Sequence, residues 1–150
     1  MRRVLMVLMV IGSMFAVASC ATVPPVLPEN VKWVEPATLP GAKLAVLVGD
    51  PAKPGVTTYR IWFPANSQVA AHYHPVAENV TVISGTVYLG HGDKLDMAKG
   101  TAYPAGSFFN VPADMRHYAW TKEETVIQVH LGGPTGMTFV NPADDPRKKK

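Results

Sequence analysis

The feature that most constrains the fold is a succession of nine short segments rich in β-branched and aromatic residues, each bounded by turn-forming residues. They occupy positions 43–48, 57–63, 67–74, 79–83, 86–90, 107–111, 117–120, 125–131 and 137–140. Turn signals at such short intervals are typical of β-sandwiches and barrels. We therefore predict one all-β domain, with a single helical turn at 92–99 and a β-hairpin at Ser84-Gly85.

The N-terminal 19 residues are predicted to be a signal peptide. Arg2 and Arg3 precede an apolar run, 4–17, that is too short for an ordinary transmembrane helix. Residues 17–20, VASC, resemble a bacterial lipobox, which implies cleavage before Cys20 and a diacylglycerol on its thiol. Ala21 after that cysteine favours the outer membrane in a host with two membranes. An ordinary secretory signal with an incidental cysteine is the alternative.

Domain boundaries follow from this reading. Residues 20–35 are predicted to be the lipidated cysteine and a proline-rich tether, 36–146 the β-barrel and 147–150 a basic tail. Cys20 is the only cysteine, so the exported domain has no internal disulfide. The tail is expected to be solvated or weakly attracted to anionic headgroups.

The formal net charge of +3 overstates how basic the folded part is. Arg2, Arg3 and the tail hold six of the 14 basic residues, which leaves 8 basic against 11 acidic side chains between them. This middle segment has no basic patch interleaved with aromatic residues. The composition therefore argues against a nucleic-acid partner.

The stretch HYHPVAEN, at 72–79, concentrates ligand-type side chains. His72 and His74 would project from one face of a strand, because side chains alternate along it. Pro75 would end that strand, and Glu78 would begin a second strand that pairs back alongside it. Imidazole and carboxylate groups together suit a divalent first-row metal ion. Two exposed histidines beside a solvated Glu78 are the alternative.

A further histidine strengthens the metal interpretation. His117 follows a proline-containing turn at the predicted start of a strand. With it, the chain resembles the cupin superfamily over about 43–140. The first cupin motif matches as His72-x-His74-x3-Glu78-x6-Gly85, and the second as Gly106-x5-Pro112 followed by His117. The resemblance implies a double-stranded β-helix, a jelly-roll-like barrel with a metal inside its mouth. It also implies the following ligands: His72, His74, Glu78 and His117.

Three positions depart from these motifs. Asn66 and Asp114 stand where the motifs have glycine, and Thr121 stands where the second motif ends in asparagine. Asparagine and aspartate tolerate a left-handed backbone, so both should occupy the same turns as the glycines they replace. A supporting contact from Asp114 to the metal site is an additional possibility.

Other polar residues are less informative. His91 lies between two glycines and is expected in a solvated loop, whereas His130 could line a polar wall or rim. Alternation along 58–63 leaves open whether the apolar side chains of Tyr59, Ile61 and Phe63 or the set containing Arg60 faces the cavity. An inward Arg60 would favour an anionic ligand. The same question applies to 108–111, where either Phe108 and Asn110 or Phe109 and Val111 would be inward.

The function expected from this pattern is that of a lipid-anchored cupin binding one divalent transition metal, chosen among Fe, Mn, Ni, Cu and Zn. Its chemistry would be dioxygenase-like or isomerase/lyase-like, on a small oxygenated organic molecule held in the barrel. No catalytic residue is identified, and a homodimer is compatible with the sequence. A non-catalytic protein that binds or senses a small molecule or a metal is the alternative.

Overall fold

The computed structural model describes residues 25–148, which form ten β-strands and three short 3-10 helices. The strands are β1 Lys43–Val48, β2 Gly55–Phe63, β3 Gln68–Tyr73, β4 Glu78–Ser84, β5 Thr86–His91, β6 Thr101–Pro104, β7 Phe108–Val111, β8 His117–Thr121, β9 Thr125–Gly133 and β10 Thr138–Phe139. The 3-10 helices are Pro28–Asn30, Pro142–Asp144 and Pro146–Lys148.

Two five-stranded antiparallel sheets make up the barrel. The first has the order β1-β2-β9-β4-β7 and the second the order β10-β3-β8-β5-β6. Strands that are adjacent in sequence therefore often lie in different sheets. This arrangement confirms the predicted all-β, jelly-roll-like fold.

The main core fills the space between the two sheets. On β2, Tyr59, Ile61 and Phe63 are buried, while the alternate side chains Arg60 and Trp62 lie on the outer face. Burying an aliphatic or aromatic side chain of this size contributes about 1.5–3 kcal/mol. The core residues contributed by other strands are Val69, Val80, Val82, Val87, Ile127, Val129 and Leu131.

A second, smaller cluster covers the outside of the second sheet. Tyr118 and Trp120 of β8 pack there under the loop between β5 and β6, whose Leu95 contacts them. Gly90 and Gly100 allow this close packing, because a Cβ at either position would overlap the ring of Tyr118 or of Trp120. The loop at 92–99 consists of bends and turns, so the predicted helical turn is wrong.

The predicted hairpin at Ser84-Gly85 is also wrong. Gly85 does have a positive φ of 70°, as the turn chemistry suggested. However, β4 pairs with β7 and β9, whereas β5 pairs with β6 and β8. The turn carries the chain from one sheet to the other. A side chain here would overlap the carbonyl of Glu124, so the tight crossing requires glycine for space as well as for φ.

The ends of the chain only partly follow the predicted boundaries. The signal peptide, Cys20 and the start of the tether lie outside the described residues. Val34, assigned to the tether, already pairs with Leu44 in an isolated bridge. Arg147, the first residue of the predicted tail, is exposed and forms an ion pair with Asp145 at 2.8 Å. None of the helices within 25–148 is long and apolar enough to cross a membrane.

Candidate metal centre

An irregularity in β3 turns its histidines toward the barrel interior. Val69 pairs with Ala119 and His72 with His117, so between these pairs two residues on β3 oppose one on β8. This bulge breaks the two-residue alternation. Val69 and His72 both face the interior, while Ala71 between them packs on the outer cluster.

Three histidines meet inside the barrel. His72 and His117 are cross-strand partners on β3 and β8, and His74 lies just beyond the end of β3. One ring nitrogen of each lies within 4.8 Å of those of the other two. The ring centroids are 4.2 Å apart for His72 and His117, and 4.9 Å apart for His72 and His74. All three side chains are buried, with at most 8% of their surface exposed.

Backbone carbonyls fix the tautomer of every ring in this cluster. The Nδ1 atoms of His72, His74 and His117 lie 2.8, 2.7 and 2.9 Å from the carbonyl oxygens of Ala70, Gly136 and Met115. A carbonyl oxygen can only accept, so each Nδ1 must carry a hydrogen and donate it. In the neutral rings, each Nε2 is therefore a lone-pair donor for a metal.

Burial keeps two of these rings neutral. It holds the pKa of His72 well below the ordinary value of 6.5, and the neighbouring His117 and His74 lower that pKa further. Burial also lowers the pKa of His117 to about 4. Both rings are therefore uncharged at neutral pH, as metal binding requires.

Glu78 approaches the cluster from the opposite sheet. It begins β4, which pairs with β7 and β9, so the prediction that its strand pairs alongside β3 is wrong. Its Oε2 lies 3.4 Å from Nε2 of His74. Its Oε1 accepts a hydrogen bond of 2.9 Å from the Tyr59 hydroxyl. Glu78 and the histidines thus meet across the cavity, and burial raises the pKa of Tyr59, which keeps this hydroxyl protonated.

The polar atoms of this cluster fit a bound cation. With the Nδ1 hydrogen of His74 committed to Gly136, its Nε2 and the Glu78 Oε2 are two acceptors facing each other at 3.4 Å. Such a contact is satisfied when a cation or an additional proton lies there. The three imidazoles and one carboxylate are a donor set that first-row transition metals accept.

The cluster opens into a cavity of about 320 Å³. Its wall is mainly apolar: Tyr59, Ile61 and Phe63 line it, as do Phe109 and Val111. Phe108 is exposed instead. On both β2 and β7, therefore, the apolar set of alternating residues faces the cavity.

Charge at the cavity comes from an unexpected part of the chain. Arg60 is not among the cavity residues, and its Nε donates to the Gln128 side chain. Arg147 lines the cavity instead, held by Asp145 and by the carbonyl of Met137. Because Arg60 does not face the cavity, it gives no support to the anionic ligand that an inward Arg60 would have favoured.

The substituted motif positions occupy the turns expected of them. Asn66 and Asp114 have φ values of 61° and 60°, in the left-handed region. The backbone N–H of Asp114 donates to the carbonyl of His74, at 2.8 Å, which ties this turn to the end of β3. Thr121 donates from its hydroxyl to the carbonyl of Pro64. The predicted glycine-like turns are confirmed, and the turn of Asp114 contacts the site through its backbone.

The remaining two histidines are not members of the cluster. His91 is exposed, as expected, but it ends β5 opposite His117 rather than lying in a loop. His130 forms a hydrogen bond with Thr58. Neither belongs to the group of converging ring nitrogens found within residues 25–148.

Tyr59 and Gly136 are among the contributors to the site that were not predicted from the sequence. The sequence predicts Tyr59 only as an apolar wall residue and indicates no role for Gly136. An inward tyrosine in a strand of otherwise apolar inward residues is a weak signal that its hydroxyl has a partner. A carbonyl that orients a histidine leaves no signal in the sequence.

A family model described as a domain of unknown function, DUF4437, matches residues 22–134. The chain belongs to the DUF4437 family. No curated protein matches this DUF4437 chain in sequence.

Solved structures similar to the DUF4437 chain include proteins described as cupins. An RmlC-like cupin from Shewanella frigidimarina has 18% identity and a TM-score of 0.57, with 71% of this chain and 86% of that chain covered. The polyketide cyclase RemF from Streptomyces resistomycificus has 15% identity and a TM-score of 0.66, covering 85% and 92%. An oxalate oxidase has 22% identity and a TM-score of 0.52, covering 67% and 55%. At these identities the likeness shows the fold alone.

Proposed function

We propose that this DUF4437 protein binds one divalent transition metal ion through His72, His74, His117 and Glu78, and uses it to act on a small oxygenated organic molecule. The observation that carries the proposal is the arrangement of the three rings. Each Nδ1 donates to a backbone carbonyl, which leaves three buried Nε2 lone pairs converging on one place. The similar solved structures, which include an RmlC-like cupin, a polyketide cyclase and an oxalate oxidase, support the proposal.

The donor types of the site also suit a divalent cation. Metal binding requires neutral imidazoles, so the carboxylate of Glu78 would be the one protein ligand that offsets the charge of the ion. Iron, manganese, nickel, copper and zinc all accept these ligand types. When bound, such an ion supplies Lewis acidity toward oxygen atoms of a ligand. Four protein ligands would leave room for a ligand that enters from the cavity.

The residues around the cavity indicate whether a side chain or the metal would carry out the reaction. Glu78 is engaged by Tyr59 and His74, and burial keeps the Tyr59 hydroxyl protonated. Among the residues of 25–148 that line the cavity, no carboxylate other than Glu78 is available as a general base. We therefore favour a reaction run by the metal, dioxygenase-like or isomerase/lyase-like, with the apolar wall binding the carbon skeleton and excluding water.

The same feature supports a second candidate function. A cavity with ligand-type residues and no additional base also suits a protein that binds or senses a small molecule or a metal without turnover. The two candidates differ in one measurement. The metal-loaded enzyme should consume O₂ or convert a candidate substrate, whereas a binding protein should only show a higher melting temperature with its ligand.

We also propose that the protein is exported and anchored to the cell envelope by a lipid on Cys20, with the outer membrane or the periplasmic face favoured. The support is the lipobox-like VASC sequence after a cationic and apolar leader. Cys20→Ser should move the protein from the membrane to the soluble fraction, as measured by fractionation and blotting, without unfolding it. A wild-type protein that is wholly soluble would contradict the anchor.

The metal proposal is tested by metal-to-protein ratios. Protein purified from its native compartment should contain close to one equivalent of a transition metal by elemental analysis. Single alanine replacements of His72, His74, Glu78 and His117 should each lower this ratio. His91→Ala is the matched control, because His91 is exposed and lies opposite His117 in the same sheet. Its metal content should equal that of the wild type.

Two outcomes would contradict the proposed site. One is a wild type that neither retains nor takes up any of the five metals. The other is loss of the metal in His91→Ala together with its retention in His117→Ala. Circular dichroism of each variant would separate loss of metal from loss of fold, because the barrel has its own hydrophobic core.

A further inference from the structure

We propose that Tyr59 is a positioning residue: its hydroxyl holds the Glu78 carboxylate so that one oxygen, Oε2, faces the three histidines. The inference rests on the metal site proposed above. It concerns the orientation of the Glu78 carboxylate before any ion binds. It can be wrong even if the metal site is correct.

The position of Tyr59 follows from the register of the first sheet. Tyr59 pairs with Val129, and Val129 pairs with Val80, so these three side chains form one inward-facing row across β2, β9 and β4. Glu78 is the next inward residue on β4, two positions before Val80. Neighbouring strands lie about 4.8 Å apart, so only a long side chain on β2 can reach Glu78 across the intervening strand. Tyrosine has that length, and the small Val129 leaves space for it.

The hydrogen bond assigns different roles to the two oxygens of Glu78. The Tyr59 hydroxyl has one hydrogen, and it donates this hydrogen to Oε1 at 2.9 Å. Oε2 is left 3.4 Å from Nε2 of His74. Both residues are buried, with 6% and 7% of their surface exposed, so water does not compete freely for Oε1. The carboxylate is therefore turned toward the histidines by a contact within the protein.

Removal of the hydroxyl should affect metal binding through Glu78. Without its donor, buried Oε1 loses its hydrogen bond and the carboxylate can rotate away from the histidines. Replacing a residue that orients a metal ligand typically lowers metal affinity about 10- to 100-fold. Phenylalanine fills nearly the same space, so the cavity wall should remain intact.

A purely structural role for Tyr59 predicts a different pattern. If Tyr59 only packs in the core, Tyr59→Phe should change the unfolding midpoint and leave metal affinity unchanged. If it acts on the site by a route other than Glu78, the loss of affinity should be the same whether or not Glu78 is present. A double-mutant cycle separates these cases.

The experiment measures Zn²⁺ affinity by competition with a chromophoric chelator for four proteins: wild type, Tyr59→Phe, Glu78→Ala and the double variant. We expect Tyr59→Phe to weaken Zn²⁺ binding about tenfold or more in the presence of Glu78, and less than about twofold in the Glu78→Ala background. Tyr103→Phe is the control for loss of an aromatic hydroxyl, since Tyr103 is half-buried and packs against Phe109. It should bind Zn²⁺ like the wild type.

Equal losses in the two backgrounds, or no loss in either, would overturn the role of Tyr59 while leaving the metal site standing. Failure of the wild type to bind Zn²⁺ would overturn both. Circular dichroism and urea unfolding of all five proteins confirm that the affinities compare folded chains.

Discussion

Acid should destabilise the metal-free protein through the histidines that it keeps neutral. Burial lowers the pKa of His117 to about 4, whereas an unfolded chain gives histidine a pKa near 6.5. As the pH falls below 6.5, the unfolded state binds a proton at this position and the folded state does not. The free energy of unfolding is therefore fully maintained above pH 6.5, and this contribution is lost as the pH falls toward 4.

The size of this loss follows from the difference in pKa. Each unit corresponds to about 1.4 kcal/mol, so the change from 6.5 to about 4 makes the contribution of His117 about 3 kcal/mol. The pKa of His72 is lowered in the same direction, which adds to the effect. Domains of this size typically unfold with 5–15 kcal/mol. The loss should therefore remove a substantial part of the stability before most carboxylates are protonated.

Urea unfolding followed by tryptophan fluorescence, in the presence of EDTA, measures this effect between pH 7 and pH 4.5. The midpoint should fall steadily while the slope m stays constant. His117→Gln should show a shallower pH dependence, and His91→Gln should change it much less, because His91 is exposed and is the smallest of the causes that lower the pKa of His117. A wild-type midpoint that is constant from pH 7 to pH 5, or an unchanged pH dependence in His117→Gln, would refute the reasoning.

Two further predictions concern backbone conformation and packing. Asp114→Gly should leave stability unchanged or raise it by about 1 kcal/mol in a thermal melt with EDTA, because Asp114 has a φ of 60°; clear destabilisation would mean that its side chain supports the turn. Gly90→Ala should lower the free energy of unfolding by about 1–3 kcal/mol, since a Cβ there overlaps the Tyr118 ring. Gly132→Ala is its control, with no atom within 4 Å of the added Cβ, and equal effects of the two alanine substitutions would contradict the packing argument.

The all-β fold and the clustering of three histidines could be predicted because both depend on local features. Turn residues between short β-branched segments indicate strands regardless of how they pair. The spacing of His72 and His74 and the placement of His117 after a turn are short-range features of the sequence. Asn66 and Asp114 were also predictable, since few residues other than glycine tolerate their backbone conformation.

Pairing partners could not be predicted because they depend on distant parts of the chain. Gly85 has the positive φ expected of a hairpin, yet the same turn carries β4 and β5 into opposite sheets. The bulge in β3, which brings Val69 and His72 to the same side, is set by its pairing with β8. The Tyr59–Glu78 hydrogen bond depends on register across three strands, so the local sequence around either residue does not predict it.

The three carbonyls that orient the histidines differ in how far they lie along the chain. Ala70 and Met115 each lie two residues before the histidine they fix, so the chain segment next to each of those two rings sets its orientation. Gly136 lies 62 residues after His74, in the loop before β10, and beyond the part of the chain that matches the family model. Insertions or substitutions in this loop can therefore re-aim one ring while every donor atom is retained. Changes in this loop, whether natural or designed, can therefore alter the reactivity of the centre without replacing any ligand residue.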